Sequence, residues 1–211
     1  MNPADVDLFF ARLAARTPEP KTELEYVNAF TLLVAVVLSA QATDVGVNKA
    51  TRALFERVQT PGEMLELGVE GVRGYVKSIG LFNTKARNII ALSDILVQSY
   101  GGEVPDDRKA LESLPGVGRK TASVVLNVAF GHPTIPVDTH IFRVSNRTGL
   151  APGHTANAVE DLLEALVPER WKPHAHHWLI LHGRYTCKAR GPNCRDCVVE
   201  DLCTFPEKSA R

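Results

Sequence analysis

Leu114-Pro115-Gly116-Val117-Gly118-Arg119-Lys120, followed a short way on by Val137-Asp138-Thr139-His140, is the stretch on which the reading of this chain turns. Residues 106–112 read as a short helix that Asp106 can cap. Pro115 and Gly116 stop it, because proline cannot continue a helix and glycine accepts positive φ. Gly118 opens a second helix, in which Val124, Val125, Val128 and Ala129 recur at helical spacing. The predicted unit is helix, tight glycine hairpin, helix. With no side chain at Gly116 or Gly118, the N–H groups of a helix N-terminus stand open to a phosphate, and Arg119 adds a cation beside them.

Lys120 falls in the first turn of that second helix. The positive end of the helix and the neighbouring Arg119 both favour a free amine over an ammonium there. A free amine attacks carbonyl carbon, while the plainer reading makes Lys120 one more phosphate-contacting cation. Chain length brings Asp138 into the argument. The helix from Gly118 to Phe130 spans ~18 Å. The two-proline connector from Gly131 to Val137 reaches back ~20 Å when extended. That length permits a return that leaves a carboxylate near the amine, although Asp138 is also a competent cap for a helix over 139–146. Amine, carboxylate and phosphate-binding hairpin together suggest chemistry on a sugar-phosphate chain.

All four cysteines, Cys187, Cys194, Cys197 and Cys203, lie near the C-terminal end, spaced C-x6-C-x2-C-x5-C. Nothing suggests export, which argues against two disulfides. Four thiolates suit either structural zinc or a [4Fe–4S] cluster, and spacing alone leaves the two near parity. Lys188, Arg190 and Arg195 decorate this segment, as cations for a DNA backbone or as ordinary solvated charge diluted by Asp196, Glu200 and Asp201. His174, His176, His177 and His182 carry no ligand spacing and read as structural or solvent-facing.

Composition sets wider bounds. The chain has 211 residues, 45% hydrophobic, with 24 Lys and Arg against 24 Asp and Glu. This balance argues against a non-specific nucleic-acid coat protein but leaves room for a focused DNA site. No signal-peptide pattern opens the chain, and the most apolar run, 29–40, is too short to cross a bilayer. Helices are expected over 23–41, 44–58, 69–79, 84–100, 155–166 and 173–190, besides one after Asn2-Pro3, a short one from Pro61 and the hairpin pair. Asp44 is the expected cap of the second of these. With no sustained alternation, the fold class is all-α.

LPGVGRKTA followed by VDTHIFRV, with the four cysteines beyond, resembles the endonuclease III family of DNA glycosylases. The resemblance covers nearly the whole chain. It implies two helical domains, a barrel over 22–132 carrying the hairpin and a cluster domain built from 1–21 with 133–211, with a DNA cleft between them. It favours [4Fe–4S] over zinc. It implies a bifunctional glycosylase and abasic-site lyase acting on oxidised pyrimidines in duplex DNA, with Lys120 forming the Schiff base and Asp138 assisting. By the same resemblance around LSAQATD and IGLFNTKA, Gln41 and Leu81 enter the duplex and fill the space of an extruded nucleotide; from the residues alone they are a helix end and a packed turn. His140 points to the cleft or is structural, two readings that stay open. The implied protein is a cytoplasmic, nucleoid-associated monomer whose partner is damaged duplex DNA.

Two alternatives remain. An adenine-mismatch glycosylase shares fold and cluster, but that branch usually lacks the lysine, uses a carboxylate within the helix expected over 23–41, and adds a C-terminal domain; 29–41 holds no carboxylate here and the chain stops soon after Cys203. A non-catalytic iron–sulfur DNA-binding module fits hairpin and cluster, but has no need of the Lys120 and Asp138 pair. Ser123, where relatives often carry Asn, is a departure from the pattern.

Overall fold

The apolar run after residue 28 becomes a buried spine because its start is fixed locally. In the computed structural model, which describes residues 1–208, the Asn28 side chain accepts the Thr31 N–H at 2.9 Å and Thr31 Oγ1 accepts the Asn28 N–H at 2.9 Å. This reciprocal cap starts α2, Ala29–Ser39, six residues later than the pattern suggested. Residues 23–27 are not helical because α3, Asp44–Arg57, takes their polar groups. The Asn48 side chain donates to the Glu23 carbonyl at 2.8 Å and accepts the Glu25 N–H at 3.0 Å.

Other boundaries shift for similar reasons. Thr43, not Asp44, caps α3, its hydroxyl accepting the Gly46 N–H at 3.2 Å. The two short helices expected after Pro61 form one element, α4, Pro61–Val76, kinked where Gly68 takes φ 68°. Helix α5 runs Phe82–Tyr100, and the hairpin pair is α6, Arg108–Glu112, and α7, Arg119–Phe130. Asp107 rather than Asp106 caps α6, accepting the Ala110 N–H at 2.8 Å. Helices α2 to α7 belong to one compact unit, Thr22–Gly131. Leu32, Leu33, Leu38, Leu54, Met64, Ile89, Leu92 and Leu96 fill its core without exposure. Truncating any of these leucines to alanine costs ~2–5 kcal/mol.

The second unit joins Met1–Lys21 to the chain from His132 onward. It contains α1 (Pro3–Arg16), α8 (Thr139–Thr148), α9 (Ala156–Leu166) and α10 (Lys172–Leu181). Phe9 and Phe10 of α1 pack with Ile141, Val144, Trp178 and Leu179 in its own core. The helix expected to reach 190 ends earlier. Past Leu181 it widens into a π-helical turn, His182–Thr186, closed by the Cys187 N–H on the His182 carbonyl at 2.7 Å. Arg143 of α8 causes the departure in part, donating to the carbonyls of Gly183 at 2.8 Å and Cys187 at 3.0 Å. Gly183 itself packs so closely on α8 that a Cβ there would come within 2.9 Å of His140 Cβ. No strand occurs among the described residues, and none of their helices is long and apolar enough to cross a membrane.

Candidate active site

The glycine hairpin forms as its sequence requires. Gly116 takes φ 81°, and Val117 closes the turn by donating to the Leu114 carbonyl at 3.0 Å. A side chain at Gly116 would strike Asn88 of α5, whose amide nitrogen lies 2.8 Å from the Cβ position. Gly118 is the N-cap of α7, with no side-chain cap and open space where its Cβ would stand. The first N–H groups of α7 are therefore unshielded by any side chain of their own cap, which suits an anion. Lys120 is exposed in that first turn, next to the half-buried Arg119. Ser123, one turn further, is fully buried and accepts a hydrogen bond from Arg108 Nη1 at 2.7 Å.

Gln41 and Leu81 lie in the same unit as the hairpin and share a rare backbone state. They are the two non-glycine residues with positive φ among the described residues, at 55° and 59°. A left-handed residue with a Cβ costs ~1–2 kcal/mol, so the surrounding fold must hold it there. The two turns are neighbours: the Cβ position at Gly80 lies 4.0 Å from the Gln41 carbonyl oxygen. Leu81 is 60% exposed, an apolar side chain standing in solvent at a helix N-terminus.

Asp138 belongs to the second unit. Its Oδ1 accepts the Ile141 N–H at 2.8 Å, capping α8 and leaving the second carboxylate oxygen outside that bond. His140 is half-buried on α8, its Nδ1 3.3 Å from Arg143 Nη2. Of the C-terminal histidines, His174 is exposed and His176 is buried with Nδ1 2.8 Å from the Pro136 carbonyl. Burial, then His174, lowers His177 to about 4.

The four cysteines line one cavity, together with His182, Thr186, Asn193 and Phe205. Among the described residues no three His, Cys, Asp or Glu groups converge on a point where one metal ion would sit. Zinc at ~2.3 Å from each thiolate would draw four sulfurs to ~4 Å of one another. Four thiols lining one cavity are a donor set that either a single zinc ion or an iron–sulfur cluster takes. Burial pushes the Cys197 thiol up to about 11, and the other three cysteines add to the rise. A cationic cluster in the cavity would reverse this by drawing off the protons. N–H donors already face the sulfurs, with Phe205 N 3.4 Å from Cys203 Sγ and Arg147 Nη1 4.0 Å from Cys187 Sγ. The donor set fits a [4Fe–4S] cluster.

Two residues that reach the cysteine sulfurs, Arg147 and His182, had no distinguishing signal in the sequence. Arg147 donates to the carbonyls of Lys188 at 2.6 Å and Ala189 at 3.0 Å and lies 4.6 Å over the Phe205 ring. It thereby holds the backbone of the segment that displays the exposed Lys188 and Arg190. His182, left among the structural histidines, sets Nε2 3.8 Å from Cys197 Sγ. Burial, then Arg16, lowers it to about 4, so it is a neutral imidazole at pH 7.

Known proteins share this arrangement. Residues 34–169 match the family model described as HhH-GPD superfamily base excision DNA repair protein. Endonuclease III of Escherichia coli K12 is 60% identical over 99% of both chains, and that of Haemophilus influenzae 59% over 93% of both. An endonuclease III–DNA covalent intermediate, trapped as an estranged-adenine complex, superposes with a TM-score of 0.90 at 44% identity, covering 97% of this chain and 96% of that one. A thermostable thymine-DNA glycosylase superposes at 0.85 with 26% identity, over 97% and 98% of the two chains. Hairpin, cysteine cavity and full-length likeness agree, and the chain belongs to the HhH-GPD superfamily of base excision DNA repair proteins, within its endonuclease III family.

Proposed function

We propose that the protein is a bifunctional DNA glycosylase and abasic-site lyase that removes oxidised or ring-saturated pyrimidines from duplex DNA in base excision repair. The observation that carries this reading is near-full-length identity to endonuclease III proteins, joined to the likeness to a member held covalently on DNA. A covalent adduct requires a nucleophile, and Lys120 in the first turn of α7 is exposed and matches the family lysine.

In the proposed reaction the Lys120 amine bonds to C1′ of an extruded nucleotide. The C1′–N glycosidic bond breaks and its electron pair leaves with the damaged base, which takes up a proton. Opening of the sugar ring gives a Schiff base at C1′. Loss of a C2′ proton then expels the 3′ phosphate, nicking the strand by β-elimination. Asp138 supports the positive charge that develops on the sugar and assists the proton transfers. Gln41 and Leu81 fill the stack on extrusion, offsetting part of its cost of a few kcal/mol. The hairpin glycines and Arg119 bind backbone phosphate, as Lys188 and Arg190 do from the cysteine segment; His140, tied to Arg143, supports the α8 end of the site.

Cys187, Cys194, Cys197 and Cys203 hold a [4Fe–4S] cluster that orders their segment and takes no part in base removal. The chain works as a monomer on DNA inside the cell, at the nucleoid. Borohydride reduction during turnover on oxidised-pyrimidine DNA should trap a covalent adduct with the wild-type chain and none with Lys120→Ala. An undiminished adduct in the variant would remove Lys120 from the chemistry.

A further inference from the structure

The ammonium of Lys85 is buried, only 5% exposed, and its hydrogen-bond partner is an uncharged one, the Leu38 carbonyl at 2.9 Å. No carboxylate among the described residues pairs with it. A buried cation without a carboxylate partner is costly, and the negative C-terminal end of α2 offsets part of that cost. The position of Lys85 supplies a further reason for it. Its main-chain N–H donates to the Leu81 carbonyl at 3.0 Å, while its side chain reaches the last turn of α2, three residues before Gln41. One residue is thus bonded to the Leu81 turn and to the end of the helix that leads into the Gln41 turn.

These two turns need such a tie. A left-handed Gln or Leu relaxes unless its surroundings over-determine it. Ser39 Oγ is occupied by the Val36 carbonyl at 2.8 Å and the Ala42 N–H by the Ser39 carbonyl at 3.0 Å. Those bonds close the Gln41 turn on itself but do not tie it to α5. The Lys85 ammonium does so through α2, and α5 runs on to Asn88, against which the hairpin glycine Gly116 is packed. The first two turns of α5 therefore connect Leu81, the end of α2 and the hairpin.

We propose that Lys85 is a positioning residue for nucleotide extrusion: its ammonium fixes the Gln41 turn relative to Leu81 so that both side chains enter the duplex together. This rests on the reading of Gln41 and Leu81 as the side chains that fill the opened stack. A displacement of about 1 Å in such a pair is enough to cost orders of magnitude in rate. The dependence falls on duplex opening and not on the lysine chemistry in α7.

The test compares two substrates on the full chain. Lys85→Met keeps the apolar stem and removes the ammonium. Its kcat/KM on an oxidised pyrimidine in duplex DNA should fall about tenfold or more, while strand cleavage at an abasic site in a single-stranded oligonucleotide, where nothing must be extruded, stays within about twofold of wild type. A merely structural role would lower both together. An equal fall on both substrates, or no fall on either, overturns the proposal. Leu81→Ala is measured alongside: if it spares duplex activity, the filling role itself fails, whereas a selective loss in Leu81→Ala with none in Lys85→Met defeats Lys85 alone. Should Lys85→Met not fold by circular dichroism, Lys85→Arg, which keeps the charge but moves the donor, takes its place under the same two outcomes.

Discussion

Asp138 carries two duties that a pair of substitutions separates. Its Oδ1 accepts the Ile141 N–H at 2.8 Å as the cap of α8, and in the proposed chemistry its charge supports the sugar. Asparagine is as good a cap as aspartate, so Asp138→Asn keeps the hydrogen bond and loses only the charge on the helix dipole, ~0.3–1 kcal/mol. Asp138→Ala loses both, and the cap adds ~1 kcal/mol to the cost. For a chain of this length, 1 kcal/mol moves the melting temperature by ~2–4 °C. Calorimetry should therefore find Asp138→Ala melting ~2–4 °C below Asp138→Asn. Activity should not follow that order. Removing one preorganised electrostatic group costs ~10²–10³ in turnover, so both variants should fall by a similar large factor under single-turnover conditions with saturating DNA. Binding measured by anisotropy on an uncleavable abasic analogue should stay near wild type for Asp138→Asn. Wild-type turnover in Asp138→Asn would refute the charge argument. Equal melting temperatures in the two variants would refute the cap.

Three further outcomes are expected. Leu81→Gly removes the cost of φ 59° at a 60% exposed side chain, so stability should hold or rise by up to ~1 kcal/mol while duplex activity falls; a clear loss of stability would show the turn unstrained. Purified protein should contain about four iron and four sulfide per chain, lost with loop order in Cys203→Ser; one zinc per chain would replace the cluster assignment. His177, lowered to about 4 from the ordinary 6.5 by burial and then His174, stays neutral in the fold while the unfolded chain takes up a proton below 6.5. Its share of stability is thus whole above 6.5 and lost as pH falls towards 4, and a pH series of melting temperatures should show that decline flattened in His177→Phe.

The resemblance that named the family was carried by features that depend on a few adjacent residues. Pro115, Gly116 and Gly118 favour the hairpin locally, because proline ends a helix and glycine takes φ 81° without strain. Asp138 caps α8 because a short acceptor three residues before a free N–H is a local geometry. Element ends were less legible where a distant side chain intervened. Asn48 draws 23–27 out of the helix, and Arg143 turns the end of α10 into a π-helical turn. No pattern in 23–27 or 182–186 announces either partner.

The order of residues thus determined the class of the fold, the hairpin and the set of four thiols, since helical periodicity, turn chemistry and cysteine spacing are properties of short segments. Folding alone decided which carbonyl the Lys85 ammonium reaches, that Gln41 and Leu81 share one left-handed state, and that Arg147 and His182 approach the sulfurs of Cys187 and Cys197. Each of these joins groups far apart in the chain. Their geometry is fixed by the packing of whole helices, which no short stretch encodes.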